Sequence, residues 1–243
     1  MRIVTSNIRG GLGMDGRRSI RRIAREVDLL QPDILCLQEV HCRLPWSRFA
    51  NHPAILERLL RRKCLFAPAF RFGVGSFGVA ILTRYPVSTA RIWQLPSKSE
   101  RRVALEAGIY AGGTEISVFC THFGLDPMER QRQSAWLAGV VCAATGPVLV
   151  AGDLNECPSE PAVQSLLDLG GIKDAGCNRP TYPAREPRSA IDYILYGGGI
   201  AVSACMPKWS EASDHLPVCA EFAVQDRIDA PWSGRAGLGK GPA

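Results

Sequence analysis

The chain has 243 residues, 46% of them hydrophobic and 21% charged, and a formal net charge of +6 at pH 7. This length and composition suit one large α/β domain with a sizeable core and exclude an intrinsically disordered chain. No run approaches the roughly 18 apolar residues of a membrane-spanning helix. The N-terminus lacks the apolar segment and cleavage site of a signal peptide. We therefore expect a soluble protein.

Apolar patterning divides the chain into many short strands and few helices. Buried or alternating apolar runs predict strands at residues 3–8, 34–37, 77–82, 103–110, 115–121, 147–151, 191–195, 202–206 and 218–224. Helical spacing predicts helices at residues 19–30, 53–62, 127–144 and 161–169. So many strands with few helices indicate an α/β fold in which two packed sheets are flanked by helices.

The C-terminal segment differs from the rest of the chain. From Asp226 onward the sequence is polar, rich in glycine and without periodicity. No repeat or interdomain linker occurs before it. We predict a single domain over residues 1–225 and a loose tail over residues 226–243.

Nine cysteines are spread along the chain without regular spacing, and no Cys-x-x-Cys pair occurs. The adjacent His41 and Cys42 lack the two-pair spacing typical of zinc sites. Cys36, Cys120 and Cys219 fall inside predicted strands, where a free thiol behaves as a small apolar side chain. This pattern predicts reduced thiols and a cytoplasmic location.

Much of the positive charge is arginine on predicted helices, in residues 17–25 and 61–63. Such charge favours a polyanionic partner, either nucleic acid or an anionic membrane surface. A solvated helix face would produce the same pattern. The charge therefore leaves the substrate open.

Polar side chains follow or interrupt several predicted strands. Asn7 ends the first strand, where its amide suits a phosphate oxygen or a metal-bound water, or else a turn before Gly10. Glu39 follows the strand at residues 34–37, and a carboxylate leaving a buried strand needs a partner. A cation would serve, and so would a salt bridge at the surface.

The later strands carry more such groups. His122 ends a strand, a place that structural histidines also occupy. Alternation in an extended segment would place Asp153 and Asn155 on one face. Asp192 is a charge among apolar residues, so it should be hydrogen-bonded, most simply to an imidazole. The adjacent Asp214 and His215 precede the last strand and supply an acid and an imidazole; these two bring the set to eight residues.

Strand ends that share a sheet edge would gather these oxygen donors and histidines into one cluster. A hard divalent cation and a phosphate ester both require such a cluster. Oxygen donors without clustered thiols favour Mg²⁺ or Mn²⁺ over zinc. The sequence therefore predicts a metal-dependent phosphoesterase.

These motifs, taken in order, resemble those of the endonuclease/exonuclease/phosphatase superfamily. That superfamily includes pancreatic-type deoxyribonucleases, AP endonucleases, neutral sphingomyelinases and inositol polyphosphate 5-phosphatases. The resemblance covers all but the tail, and the matching segments are residues 5–8 (TSNI), 37–40 (LQEV), 78–86 (GVAILTRYP), 121–122 (TH), 152–155 (GDLN), 191–193 (IDY) and 213–215 (SDH). It implies a four-layer α/β sandwich, in which two packed, largely antiparallel β-sheets are flanked by helices.

The resemblance also implies a role for each matched residue. Glu39 matches the principal metal ligand, and Asn7 and Asp214 complete or support the metal site. The pair that positions water and binds the phosphoryl group is matched by Asp153 and Asn155. The remaining matches are His215 to the imidazole beside the scissile phosphate, Asp192 to the carboxylate that orients it, and His122 to a histidine contacting phosphate or leaving group. The role assigned to His215 is that of general base, with electrostatic stabilisation as the alternative.

The sequence departs from the family at Ser6, where many relatives carry a bulky aromatic residue, and it lacks recognisable DNA-gripping insertions. Arg185 and Arg188 precede Asp192 on a predicted loop and could hold a substrate phosphate. A solvated loop is the alternative.

We expect a monomeric, Mg²⁺-dependent phosphodiesterase, most simply a nuclease given the charge. The alternatives are a phospholipid or sphingomyelin phosphodiesterase, an inositol-phosphate phosphatase, or an inactive binding scaffold. A nuclease requires a basic groove across the site. A lipid enzyme requires an exposed apolar rim, for which residues 44–46 and 70–77 are candidates and which leaves peripheral membrane contact open.

Overall fold

A computed structural model describes residues 1–98, 100–168, 172–177 and 179–224. Its strands form two six-stranded sheets. The first sheet has the spatial order β11 (Ile200–Pro207), β12 (Val218–Val224), β1 (Arg2–Asn7), β2 (Ile34–Cys42), β4 (Gly75–Thr83) and β3 (Lys63–Phe72). The second has the order β5 (Val87–Leu95), β6 (Arg102–Ala111), β7 (Thr114–His122), β8 (Val148–Asp153), β10 (Asp192–Gly197) and β9 (Lys173–Asp174).

The helices cover the outer faces of the two sheets. They are α1 (Ile20–Leu29), α2 (His52–Leu60), α3 (Pro127–Cys142) and α4 (Pro161–Asp168). The first two pack on the first sheet and the last two on the second, each pair closing its own apolar cluster. The largest cluster lies between the sheets and contains side chains such as Ile34, Ile81 and Ile194. This arrangement confirms the four-layer α/β sandwich.

Strand direction explains how the fold concentrates polar groups. Eight strand pairings are antiparallel and two are parallel, β1 with β2 and β7 with β8. A parallel pair sends both carboxyl ends to the same sheet edge. Asn7 thereby lies opposite Gln38 in the first sheet, and His122 lies opposite Asp153 in the second.

Capping residues fix where two of the helices begin. Ser19 accepts a hydrogen bond from the backbone of Arg22 at 3.2 Å, and Asp126 accepts one from Glu129 at 2.8 Å. Pro127 occupies the first turn of α3, where its missing N–H costs nothing. Both helices therefore start where the sequence predicts them to start.

The structure differs from the sequence prediction in the bounds of β2 and in the edge strands of both sheets. β2 continues through Glu39 to Cys42, because a bulge between Leu37 and Val40 absorbs the irregularity without ending the strand. β3, β5 and the two-residue β9 were not predicted. All three are edge strands whose residues are mostly exposed or half-buried, so their apolar pattern is weak.

Two further predictions concern the C-terminal tail and the absence of a membrane-spanning helix. The tail predicted at 226–243 lies outside the described residues. Within the described ranges, no helix has the length and apolar character needed to cross a membrane.

A stacked pair of buried histidines joins β2 to α2. The rings of His41 and His52 lie 5.6 Å apart, centroid to centroid, at an interplanar angle of 12°. Burial, the largest effect, and the nearby charge of Arg18 together lower the pKa of each ring to about 4, and the His52 ring also contributes to the lowering for His41. The Nδ1 atom of each ring is buried without a hydrogen-bond partner. The folded protein therefore holds both rings neutral.

The close approach of β7 and β8 beside the polar edge generates the first prediction. A Cβ added at Gly152 would lie 2.0 Å from the carbonyl oxygen of Thr121. Gly152→Ala should therefore lower the free energy of unfolding by roughly 1–3 kcal/mol, measured by urea denaturation. Gly139→Ala, on an exposed part of α3 with open space around it, is the matched control and should raise stability by about 0.4–1 kcal/mol. Equal effects would contradict the packing argument.

The second prediction concerns His52 and pH. Between pH 6.5 and about 4 the unfolded chain binds a proton at this ring and the folded chain does not, so stability is lost as pH falls through that window. His52→Phe keeps a ring but removes the proton site. Stability lost between pH 7.5 and pH 5 in urea titrations should be smaller in this variant by about 1–3 kcal/mol. An unchanged pH dependence would contradict the assignment.

Candidate functional site

The second sheet aligns three functional side chains in adjacent strands. Asp153 ends β8, pairs with His122 at the end of β7 and also lies opposite Asp192 at the start of β10. All three side chains are buried. Asp153 Oδ2 lies 3.6 Å from His122 Nε2. Backbone register alone therefore brings together residues that are 31 and 39 positions apart from Asp153 in sequence.

Asn7 connects the two sheets at this edge. Its Nδ2 donates to Glu39 Oε1 at 3.1 Å and to Asp153 Oδ2 at 3.0 Å. Its Oδ1 accepts a hydrogen bond from the backbone N–H of Arg9 at 3.1 Å. Asn7 therefore orients both carboxylates in this structure, while its Oδ1, which accepts one hydrogen bond, keeps a second lone pair.

His215 forms a carboxylate–imidazole pair with Asp192. The Nδ1 atom lies 3.0 Å from Asp192 Oδ2, so it carries the donated proton, and Nε2 makes no hydrogen bond to the described part of the chain. Burial lowers the pKa of His215, but the charges of Asp192, Asp153 and Asp214 outweigh that effect and raise it to about 10. The ring is therefore held as an imidazolium among carboxylates.

Asp153 has the environment of a carboxylate that can exchange a proton near neutral pH. Burial and the charge of Asp192 raise its pKa to about 7, against the opposing effects of His215 and the Asn7 hydrogen bond. Its Oδ1 accepts the backbone N–H of Asn155 at 2.9 Å. A buried carboxyl with a pKa near 7 can act as a general base.

Glu39 projects from the bulge in β2. Its backbone has a φ of 54°, a left-handed conformation that non-glycine residues adopt rarely. Burial and the neighbouring charge of Asp214 raise its pKa, while the Asn7 hydrogen bond lowers it. The bulge thus turns a carboxylate away from the strand and towards a second carboxylate.

Asp214 stands at the more open side of the site. Its Oδ2 pairs with Arg9 Nε at 3.2 Å, and its Oδ1 accepts a hydrogen bond from Ser213 at 3.2 Å. The Arg9 side chain is 44% exposed, so solvent screens this pair. Asp214 itself is half-buried, with 18% of its side chain exposed, and lines the cleft together with Glu39.

His122 is buried at the end of β7, as the sequence predicted for a strand-end histidine. Burial lowers its pKa well below its ordinary value, and the charges of Arg102 and His215 lower it further. A neutral imidazole beside Asp153 can donate or accept one hydrogen bond without adding positive charge.

Asn155 reaches the site by a different geometry from the one expected. β8 ends at Asp153, and Asn155 adopts a left-handed φ of 52°, so the two do not lie on one face of an extended segment. The turn forms because Asp153 Oδ1 caps the backbone of Asn155. Asn155 Nδ2 donates to the carbonyl of Phe123 at 2.9 Å, which fixes the amide beside the cleft.

These residues line one cleft of about 460 Å³. It collects seven of the eight residues predicted at the strand ends, namely Asn7, Glu39, His122, Asp153, Asn155, Asp214 and His215. The eighth, Asp192, lies behind His215 and touches it directly. The sequence-predicted residues thus converge on a single site.

The arginines predicted to bind phosphate lie elsewhere. Arg185 donates to the carbonyl of Met14 at 3.0 Å, and Arg188 pairs with Glu186 at 2.6 Å. Neither lines the cleft. Both belong to an exposed loop, in which Arg188 pairs with a residue two positions away while Arg185 contacts the backbone of a turn distant in sequence.

Arg102, rather than Arg185 or Arg188, is the arginine among the described residues that lines the cleft. It begins β6, is buried, and lines the cleft while pairing with Glu100 at 3.2 Å. Its Nε atom is buried without a hydrogen-bond partner. The signal in the sequence was an arginine immediately before a strand, but nothing local distinguished it from Arg101.

The wall of the cleft also contains apolar and aromatic residues. Trp46, Phe77, Leu125 and Tyr182 line it together with His41. The ring of Tyr182 lies 4.8 Å from that of His215. The sequence predicts an apolar rim at residues 44–46 and 70–77. Trp46 and Phe77 belong to these segments.

Two groups of side chains have the donors that a divalent cation needs. Asp153, Asp192 and His215 place one donor atom each within 4.8 Å of one another. The second group is Glu39 with Asp214, whose mutual repulsion contributes to the raised pKa of Glu39. In the first group Asp192 holds the imidazole and does not line the cleft, whereas Glu39 and Asp214 both line it, so the second group is the one open to a cation from the cleft.

Comparison with known proteins agrees with the geometry. The uncharacterized protein YbhP of Escherichia coli (strain K12) is 30% identical over 242 residues, covering 91% of this chain and 95% of YbhP. An endonuclease/exonuclease/phosphatase from Beutenbergia cavernae superposes with a TM-score of 0.78 at 23% identity, over 92% of this chain and 71% of that one. The mannosyl-6-phosphatase Bt3783 of Bacteroides thetaiotaomicron superposes with a TM-score of 0.74 at 17% identity, over 92% and 99%.

The structural similarities establish the fold, and the sequence establishes the family. Residues 4–215 match the sequence profile of the Endonuclease/Exonuclease/phosphatase family. The matched region begins in β1 and ends at His215, so it includes all eight candidate residues predicted at the strand ends. This chain therefore belongs to the endonuclease/exonuclease/phosphatase family.

Proposed function

We propose that this protein hydrolyses a phosphodiester with water in a reaction that depends on Mg²⁺ or Mn²⁺. The family consists of phosphoesterases that depend on divalent metals. The observation that carries the proposal is the linked set of side chains at the sheet edge. The Asp192–His215 pair lies beside Asp153, and Asn7 ties Asp153 to Glu39.

The donor set fits a hard cation. Glu39 and Asp214 would hold it, since they offer carboxylate oxygens in a site where negative charge is incompletely neutralised. Asn7 would keep Glu39 in place by its hydrogen bond. When bound, the cation polarises the phosphoryl oxygen and stabilises the leaving oxyanion.

The chain's own residues supply the remaining functions. Asp153, positioned by Asn7, would accept the proton of the attacking water, with Asn155 beside it contacting the phosphoryl group. His215 donates Nδ1–H to Asp192, so its Nε2 is the atom free to face the phosphate. As an imidazolium it would donate to a phosphoryl oxygen, and as a neutral ring it would serve as the base; the raised pKa supports the first role.

Two further groups suit the substrate's other oxygens. Arg102 would pair with a non-bridging oxygen, because its buried Nε lacks a partner and guanidinium binds phosphate in fixed geometry. His122, neutral and buried, would donate a hydrogen bond to phosphate or to the leaving group. Charge-assisted donors in a partly dry cleft stabilise the transition state more than they would in water.

Several substrate classes satisfy this chemistry. The net charge of +6 supports a nuclease-like activity, the first candidate from the sequence. Bt3783 is named a mannosyl-6-phosphatase, so a phosphate monoester belongs among the compounds to test. A cytoplasmic location and a monomeric state stay predictions of the sequence.

The catalytic pair generates a prediction on rate. Asp192→Asn removes the negative charge that orients His215 and raises its pKa. His215→Ala removes the ring. Each should lower kcat on a soluble diester by about 10²–10⁴-fold, measured with bis(p-nitrophenyl) phosphate and Mg²⁺. Asp168→Asn, which changes an exposed carboxylate on α4, is the control and should leave kcat unchanged. Full activity in Asp192→Asn would contradict the assigned pair.

The metal site generates a separate prediction. Glu39→Gln should weaken Mn²⁺ binding by at least about tenfold, because it removes a charged ligand, measured by calorimetric titration. Glu160→Gln changes an exposed carboxylate immediately before α4 and should bind Mn²⁺ as the wild type does. Undiminished binding in Glu39→Gln would move the cation to the Asp153, Asp192 and His215 group.

A further inference from the structure

An exposed apolar ridge adjoins the cleft. It consists of Trp46 and Phe49 from the loop after β2, with Phe72 and Val74 from the hairpin between β3 and β4. Their exposed fractions are 46%, 59%, 53% and 81%. Large apolar side chains exposed singly are ordinary, but here four stand on two neighbouring segments that are joined by the contact of Trp46 with Phe72, which is typical of an interaction surface.

The two segments that carry the ridge are built as one unit. The rings of Trp46 and Phe72 lie 5.5 Å apart, centroid to centroid. The hairpin approaches the loop so closely that a Cβ at Gly75 would lie 2.5 Å from the carbonyl oxygen of Arg43. The ridge is therefore a preformed surface supported by backbone packing.

The loop exposes its aromatic residues through an unfavourable backbone. Arg48 and Phe49 both adopt left-handed φ values, 53° and 55°, which side chains larger than glycine rarely take. Hydrogen bonds from the backbone of Arg48 and Phe49 to the carbonyls of Pro45 and Leu44 hold this conformation. A strained backbone that directs Phe49 into water is typical of a functional surface.

Positive charge is interleaved with these apolar side chains. Residues 43–50 and 70–75 include Arg43, Arg48 and Arg71 and no acidic residue. All three arginines are exposed, and none forms an ion pair with the described residues. Aromatic residues beside unpaired arginines match the interface of an anionic bilayer, where rings insert at headgroup depth and cations meet lipid phosphate.

We propose that the ridge docks the protein on an anionic membrane surface and presents a lipid phosphodiester to the cleft. Trp46 belongs to both surfaces, since it lines the cleft and contacts Phe72. The second half of this inference rests on the proposed phosphodiesterase function. The first half, docking, stands on the ridge alone.

The cleft itself favours a lipid headgroup over a nucleic-acid strand. Tracking a nucleic-acid backbone needs a groove of several cations. Among the described residues that line the cleft, the one arginine is Arg102, against the carboxylates of Glu39, Glu100, Asp153 and Asp214. A single phosphate reaching the site from a bilayer requires fewer cations.

Docking can be tested without any activity. The full-length protein is floated with vesicles of phosphatidylcholine alone or of equimolar phosphatidylcholine and phosphatidylglycerol. Wild type should float with the anionic vesicles, less so in high salt. Phe49→Ser with Phe72→Ser should reduce the bound fraction at least about tenfold, since two rings no longer leave water. Replacing Arg43, Arg48 and Arg71 with Gln should weaken binding to the anionic vesicles and leave any binding to the phosphatidylcholine vesicles unchanged.

The matched control removes exposed apolar groups elsewhere. Leu29→Ser with Tyr110→Ser alters side chains that are also exposed, at the end of α1 and near the end of β6, and it should float as the wild type does. Circular dichroism and urea midpoints confirm that each variant is folded. Equal loss in the control, or no flotation of the wild type, would overturn docking. Docking would also be overturned if the protein bound a single-stranded oligonucleotide through Phe49 and Phe72 and did not bind vesicles.

The catalytic half has its own readout. Phe49→Ser with Phe72→Ser should hydrolyse bis(p-nitrophenyl) phosphate within about twofold of wild type while headgroup release from anionic vesicles falls in proportion to binding. Headgroup release unaffected by the loss of docking would overturn the presentation of lipid by the ridge. Docking without hydrolysis of any phosphoester would show that the proposed function fails while the membrane surface stands.

Discussion

The amide of Asn7 is the interaction on which the site depends. It belongs to the first sheet and donates one hydrogen bond to Glu39 in that sheet and another to Asp153 in the second. The end of β1, buried between the two sheets, holds this amide between carboxylates of both. The packing of the sandwich thereby becomes the geometry of the site, and a shift of either sheet would separate Glu39 from Asp153.

The electrostatics of the site follow from that same burial. Removing carboxylates from water raises the pKa of Asp153 and of Glu39, and the accumulated negative charge raises that of His215. A site of this kind stores the unfavourable free energy of unneutralised acids. The imidazolium of His215, held by Asp192, relieves part of it, and the proposed cation would relieve more.

The surroundings of the cleft divide into a polar floor and an apolar margin. The floor is made by strand ends, whose positions are fixed by hydrogen-bond register. The margin is made by a loop and a hairpin that place Trp46 and Phe72 against each other. The proposed chemistry and the proposed membrane docking thus belong to different parts of the fold, as is usual when loops are presented by a rigid scaffold.

The sequence by itself determined the order of the elements, the two-sheet architecture and the residues at the strand ends, because period and apolar runs are local properties. It did not locate β3 or the bulge at Glu39, since an edge strand is weakly patterned and a bulge depends on its partner strand. It predicted Arg185 and Arg188 as the arginines that hold a substrate phosphate, whereas in the folded chain Arg102 lines the cleft. A buried arginine is recognised only when distant strands pack around it, and only the folded chain decides that.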